Sequence, residues 1–109
     1  MGKQVKHILV LSTCPGSISA KKIAQNLVAE KLAACVNIVP GVQSYFSWVG
    51  KVDNANELLL VIKTTADAYE KLEKRIQTLH PYELPEIIAV PIHTGLAGYL
   101  DWISANTKK

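Results

Sequence analysis

The side chains best suited to chemistry lie in two short blocks. Cys14 stands in Ser12-Thr13-Cys14-Pro15-Gly16-Ser17, just ahead of a stretch with helical periodicity. A helix N-terminus favours thiolate over thiol, and thiolate is a soft ligand that suits Cu(I). The alternative for Cys14 is a small residue in a tight turn. The second block is His80-Pro81-Tyr82-Glu83-Leu84-Pro85-Glu86. Two prolines stiffen a segment carrying an imidazole, a phenol and two carboxylates, and binding groups collect on such loops. His80 closes a helix, where it either caps carbonyls as a cation or serves as a neutral copper ligand. Glu83 is the more exposed carboxylate and offers oxygen to a harder divalent ion. Cys14, His80 and Glu83 are therefore the candidate metal ligands. One Cys and one His far apart in sequence make a weak site, completed by water or shared between subunits.

Other reactive groups read differently. Cys35 follows a helix end inside an apolar run and reads as a buried, inert core thiol. His7 and His93 fall at strand ends and read as solvated or structural. Glu86 enters a strand and can pair with Lys63, as a structural pair or within a polar cleft. Trp48 and Trp102 carry indole N–H groups that want partners when buried, and interface packing is the simpler reading of both. Ser12, Thr13 and Ser17 have no evident base, and no G-x-S-x-G or phosphate loop occurs. The reading is a binding protein, not an enzyme.

Composition narrows the class. The chain has 109 residues, 49% hydrophobic and 19% charged, with a formal charge of +3. That balance suits one folded domain over residues 1–109, large enough for its own core. No apolar run reaches the ~20 residues of a membrane helix. Arg75 is the sole arginine among twelve basic residues. Guanidinium forks read guanine edges and clamp phosphate, so nucleic acid is not an expected partner. Two cysteines make no disulfide scaffold and lack zinc spacing. They fit a reducing compartment. Lys3 and Lys6 precede an apolar stretch too short for a signal peptide. Met1-Gly2 lacks the Ser or Thr that myristoylation needs at position 6, where Lys6 stands. The expected location is the cytoplasm.

The elements that must position these groups follow from periodicity. Lys6 to Thr13 is a continuous apolar strand, covered on both faces. Cys14 to Ser17 breaks it, and Ser17 or Ser19 can cap a helix whose apolar face is Ile23, Ala24, Leu27, Val28 and Leu32. Cys35 to Trp48 is a strand bent or bulged at Pro40-Gly41. Gly50-Lys51 offers a hairpin turn. The return strand runs to Thr65, interrupted at Asp53 to Asn56. Asp67 caps a second helix, with Tyr69, Leu72, Ile76 and Leu79 on one face, ended by His80-Pro81. Glu86 to His93 is a fourth strand, and Leu100, Trp102 and Ile103 sit on a short final helix. The order predicts an α+β, ferredoxin-like βαββαβ sandwich with a long β2-β3 hairpin and a short C-terminal helix. Tyr45, Phe46 and Trp48 would leave large aromatic surface bare in a monomer, which predicts a homo-oligomer. The alternative is that these rings pack on the final helix.

This fold hosts many functions. An RNA-recognition motif needs rings on a central strand, and Glu57 to Lys63 has none. An acyl-phosphate hydrolase needs an arginine in the first loop, which has none. A copper-chaperone domain needs C-x-x-C there, and one thiol is missing.

Five blocks stand in order: Leu32-Ala33-Ala34-Cys35-Val36-Asn37-Ile38, Ser44 to Trp48 with Gly50, Lys63-Thr64, His80 to Ile87, and Tyr99-Leu100-Asp101-Trp102. Together they resemble the CutA family of divalent-cation tolerance proteins, from Ile8 to about Ser104. The resemblance implies a tight homotrimer, similar in architecture to the PII nitrogen regulators. It implies metal-ion tolerance, with copper the usual candidate ligand, by sequestration or sensing. The PII likeness also implies a rival: an inter-subunit cleft lined by Trp48, Lys63, Tyr82 and Glu86 that binds a small anionic metabolite. A third reading is a purely structural trimer. Two positions depart from the family. Phe46 stands where a Tyr is common. Ser12 stands where members credited with copper binding carry Cys, and Cys14, two residues on along the strand, is the possible substitute.

Overall fold

The computed structural model describes residues 4–108. The myristoylation signal considered at Met1-Gly2 lies outside them, as does Lys3. The chain runs through β1 (His7–Cys14), α1 (Ser17–Ala29), β2 (Cys35–Trp48) and β3 (Lys51–Thr65). A single 3-10 turn at Ala66–Ala68 leads into α2 (Tyr69–Leu79), then β4 (Ile88–Pro91) and α3 (Ala97–Ala105). The strands form one antiparallel sheet in the order β2-β3-β1-β4. This is the α+β, ferredoxin-like arrangement expected from the element order.

Strand alternation sorts the core. Ile8, Val10, Ser12 and Cys14 of β1 are buried on one face, opposite Thr64, Ile62, Leu60 and Leu58 of β3. Against that face α1 lays Ala20, Ile23 and Leu27, and α2 lays Leu72 and Ile76. Both long helices therefore share one side of the sheet. Burying one such Leu or Ile contributes about 1.5–3 kcal/mol. Ile23, Leu27, Leu60, Ile62, Leu72 and Ile76 are all fully buried and anchor this layer.

The long hairpin is regular except at two places. The register shifts between Val39 and Val42, where Gly41 has φ +79°, so Pro40-Gly41 is a bulge as expected. The turn lies at Val49-Gly50, one residue earlier than expected, because Trp48 pairs with Lys51. Both turn residues have positive φ, 50° and 74°. A two-residue turn with that signature matches the twist of the strands. The expected interruption at Asp53 to Asn56 does not occur. Each of these residues pairs in register with Phe46, Tyr45, Ser44 and Gln43, and the ladder overrides their low strand preference.

Three further expectations are corrected. Neither Ser17 nor Ser19 caps α1; Gly16 is its N-cap, and Ser19 Oγ donates back to the Gly16 carbonyl at 3.2 Å. Asp67 does not cap α2, since it falls inside the 3-10 turn. The fourth strand is Ile88–Pro91 rather than Glu86 to His93. The Ile92 N–H still donates to the His7 carbonyl at 2.9 Å, one residue past Pro91, before the chain leaves the sheet.

The other face of the sheet is only partly covered. α3 lies across one end of it, with Ile103 fully buried and Ser104 Oγ 2.8 Å from His7 Nε2. Val39, Ile88 and Val90 remain exposed on this face. Tyr45, Phe46 and Trp48 are exposed along the hairpin. Tyr99 and Trp102 of α3 stack on each other, with ring centroids 5.5 Å apart, and are exposed as well.

Candidate functional site

The end of β1 and the segment after α2 meet. Cys14 is the last residue of β1 and points into the core. His80 follows the last residue of α2, and its backbone N–H still donates to Ile76 at 2.8 Å. Helix and strand are locked by the shared core, so their ends come together. The result sets Cys14 Sγ 3.9 Å from His80 Nε2, across 66 residues of chain.

His80 is buried and uses both ring nitrogens. Nε2 lies 2.7 Å from the Thr13 carbonyl, and Nδ1 accepts the Tyr82 backbone N–H at 3.0 Å. A carbonyl only accepts and an amide N–H only donates. The network therefore assigns the ring proton to Nε2 and leaves the Nδ1 lone pair for Tyr82. His80 does not cap helix carbonyls as a cation. It fastens the segment after α2 to β1.

Tyr82 extends the network. Its ring packs beside the His80 ring at 4.9 Å between centroids. Its hydroxyl donates to Glu57 Oε2 at 2.9 Å. Partial burial, then the hydrogen bond and charge of Glu57, push the phenol up to about 12. Glu57 itself is buried in β3. Sequence reasoning missed it, although a carboxylate heading the run Leu58-Leu59-Leu60-Val61-Ile62 is a signal, because a buried acid demands a partner.

Cys14 is a thiol here. Burial pushes it up to about 11, Ser19 lowers it in part, and the Glu57 charge raises it further. The helix N-terminus that promised a thiolate is outweighed by removal of the sulfur from water. Two residues back, the Ser12 hydroxyl is fully buried and has no hydrogen-bond partner among the described residues. A buried hydroxyl without a partner costs about 1–3 kcal/mol. Ser12→Ala is therefore expected to raise stability by about 1 kcal/mol, measured by denaturant unfolding at fixed protein concentration.

The remaining candidates are placed apart. Glu83 and Glu86 are exposed on the loop between α2 and β4. Among the described residues no group of three or more His, Cys, Asp or Glu side chains is arranged to hold a metal ion. Cys14 and His80 thus form a pair that Glu83 does not join. Lys63 reaches Asn37 Oδ1 and lies 3.8 Å from Cys35 Sγ, rather than pairing with Glu86. Cys35 is half-buried on the partly covered face and is not a core thiol. Trp48 pairs with Lys51, twelve residues before Lys63 on β3, about 40 Å along the strand. A single chain does not gather Trp48, Lys63, Tyr82 and Glu86 into one cleft. Arg75 ties α2 to α1, with Nε and Nη2 on the Glu30 carboxylate at 2.8–3.0 Å.

The fit to a metal depends on its hardness. A hard divalent ion wants about six or more oxygens, which this pair does not supply. A thiol and an imidazole 3.9 Å apart are the ligand types a soft copper ion takes, although Nε2 is engaged with the Thr13 carbonyl and Nδ1 with the Tyr82 N–H in this structure.

A ferredoxin-like sandwich with an overlong hairpin is the fold class of this chain. The model of the CutA1 divalent ion tolerance protein family matches residues 8–106. The divalent-cation tolerance protein CutA of Thermus thermophilus is 52% identical over 99 residues, covering 91% of this chain and 96% of that protein. The chloroplastic CutA of Arabidopsis thaliana is 45% identical over 106 residues; the match covers 97% of this chain and 58% of that longer protein. The solved CutA1 structure from Oryza sativa superposes with a TM-score of 0.93 at 42% identity, covering 96% of each chain. The chain belongs to the CutA1 divalent ion tolerance family.

Proposed function

We propose that this chain binds copper as Cu(I) between Cys14 and His80, and that binding, not turnover, is its part in divalent-cation tolerance. The observation that carries the reading is the 3.9 Å approach of Cys14 Sγ to His80 Nε2. The sulfur would supply soft ligation once its proton leaves, and the imidazole would supply the second donor. A reducing, cytoplasmic setting belongs to the proposal, because Cu(I) and free thiols both need one. So does a homotrimer, supported by the exposed apolar residues on the sheet face away from α1 and α2.

The test is an anaerobic Cu(I) titration of the intact oligomer against a competing chelator. About one Cu(I) per chain is expected. Cys14→Ser and His80→Gln should each weaken binding by at least tenfold; Gln keeps a donor for the Thr13 carbonyl while removing the imidazole. Uptake should release the Cys14 proton, so apparent affinity should rise about tenfold per pH unit between pH 6 and 8. Failure of the protein to compete with the chelator would sink the copper reading. Weight would then pass to a small anionic metabolite bound between subunits, with Lys63→Ala as the diagnostic variant.

A further inference from the structure

The segment from His80 to Tyr82 touches both faces of the sheet. At one end His80 meets Cys14, whose side chain lies on the helix side. At the other end the Tyr82 hydroxyl holds Glu57. Alternation along β3 puts Glu57 with Leu59, Val61 and Lys63, on the face away from α1 and α2. We propose that this segment is a latch: His80 cannot engage a metal ion without releasing Tyr82, so occupancy of the Cys14–His80 pair unfastens Tyr82 from Glu57 on the opposite face. The inference rests on the copper reading and deepens it.

The argument is one of lone pairs. A neutral imidazole has one ring proton and one free lone pair. The partners assign the proton to Nε2, which lies 2.7 Å from the accepting Thr13 carbonyl, and the lone pair to Nδ1, which takes the Tyr82 N–H at 3.0 Å. Suppose His80 offers Nε2, the nitrogen nearest Cys14. Its proton then moves to Nδ1, where it faces the Tyr82 N–H donor to donor, and Tyr82 must withdraw. Suppose instead that His80 offers Nδ1. The Tyr82 N–H then loses its acceptor directly. Either choice costs the same bond.

Tyr82 carries the change onward. Its ring lies against the His80 ring and its hydroxyl is fixed on Glu57 at 2.9 Å, so a shift of its backbone strains both contacts. Glu57 is only 7% exposed with the latch closed. Opening uncovers a carboxyl on the face that also carries exposed Ile88 and Val90. Metal occupancy on the helix side is thereby converted into a change of polarity on the opposite face of the sheet.

The experiment is NMR of the 15N-labelled intact oligomer, apo and with chelator-buffered Cu(I) under anaerobic conditions. The His80 ring proton is expected on Nε2 without copper. With copper, the Tyr82 backbone amide should exchange with solvent at least tenfold faster. Tyr82→Phe, which keeps the amide and drops the link to Glu57, should bind Cu(I) about 3- to 10-fold more tightly. Cu(I) held by Cys14 and His80 with unchanged Tyr82 exchange would overturn the latch and leave the copper reading standing. Equal affinity of Tyr82→Phe and the parent would overturn the coupling to Glu57. Absence of Cu(I) uptake would overturn latch and copper reading together.

Discussion

Replacing His80 with alanine is expected to lower the unfolding free energy by about 2–4 kcal/mol. Three losses add. The Thr13 carbonyl loses the donor that meets it at 2.7 Å. The Tyr82 N–H loses its acceptor. The buried ring leaves a void against Cys14 and Tyr82. A stranded buried backbone group costs about 1–3 kcal/mol, but Tyr82 is partly exposed and water can satisfy it, so the Thr13 carbonyl and the void dominate. Denaturant unfolding at fixed protein concentration measures the change, and an unaltered m-value would confirm that the native fold is the one being destabilised. His80→Gln should recover part of the loss, because its amide can still donate to Thr13. A His80→Ala variant within 0.5 kcal/mol of the parent would show that the ring does not fasten the segment.

Raising the pH from 9 to 11 is the second large effect, and it acts through Cys14. The buried thiol is pushed up to about 11, against an ordinary value of 9.0 in the unfolded chain. The folded state therefore holds this proton more tightly than the unfolded state. Below about pH 9 both states are protonated and the full contribution is present. As pH rises, the unfolded thiol ionises first and draws the equilibrium toward itself, until the contribution is gone near pH 11. At 1.36 kcal/mol per unit the loss is about 2–3 kcal/mol. The Tyr69 and Tyr82 phenols, each pushed up from 10.0 to about 12, act in the same direction from about pH 10 upward, so Cys14 acts alone between pH 9 and 10. Unfolding midpoints across pH 8 to 11 check the expectation, with Cys14→Ala beside the parent. The variant should lose the decline between pH 9 and 10 and keep only the phenols' part above it; a parallel decline in both proteins from pH 9 would mean that Cys14 is not its source.

The two effects share one physical origin. Burial of the Cys14–His80 pair makes the thiol hard to ionise and makes the imidazole structural. A metal at this pair must displace the thiol proton and a backbone hydrogen bond, which opposes uptake near neutral pH. The same opposition gives the site something to switch.

The sequence by itself determined the order of elements, the long hairpin with its bulge, and the family. Those features rest on local rules: apolar periodicity, the backbone limits of Pro40-Gly41, and the His80-Pro81 stop after α2. It also pointed to Cys14 and His80, though with a thiolate that the structure does not support. Only the tertiary structure decided that these two residues meet, that burial outweighs the helix N-terminus at Cys14, and that Glu57 is the partner of Tyr82. It also decided that α3 covers part of the second face while the hairpin aromatics stay bare. Each of these depends on contacts between segments distant in sequence, 66 residues apart for Cys14 and His80. Local periodicity sets which face a side chain takes. How a helix end is held against a strand end is set by the shared core, and that placement is where the chemistry of this chain arises.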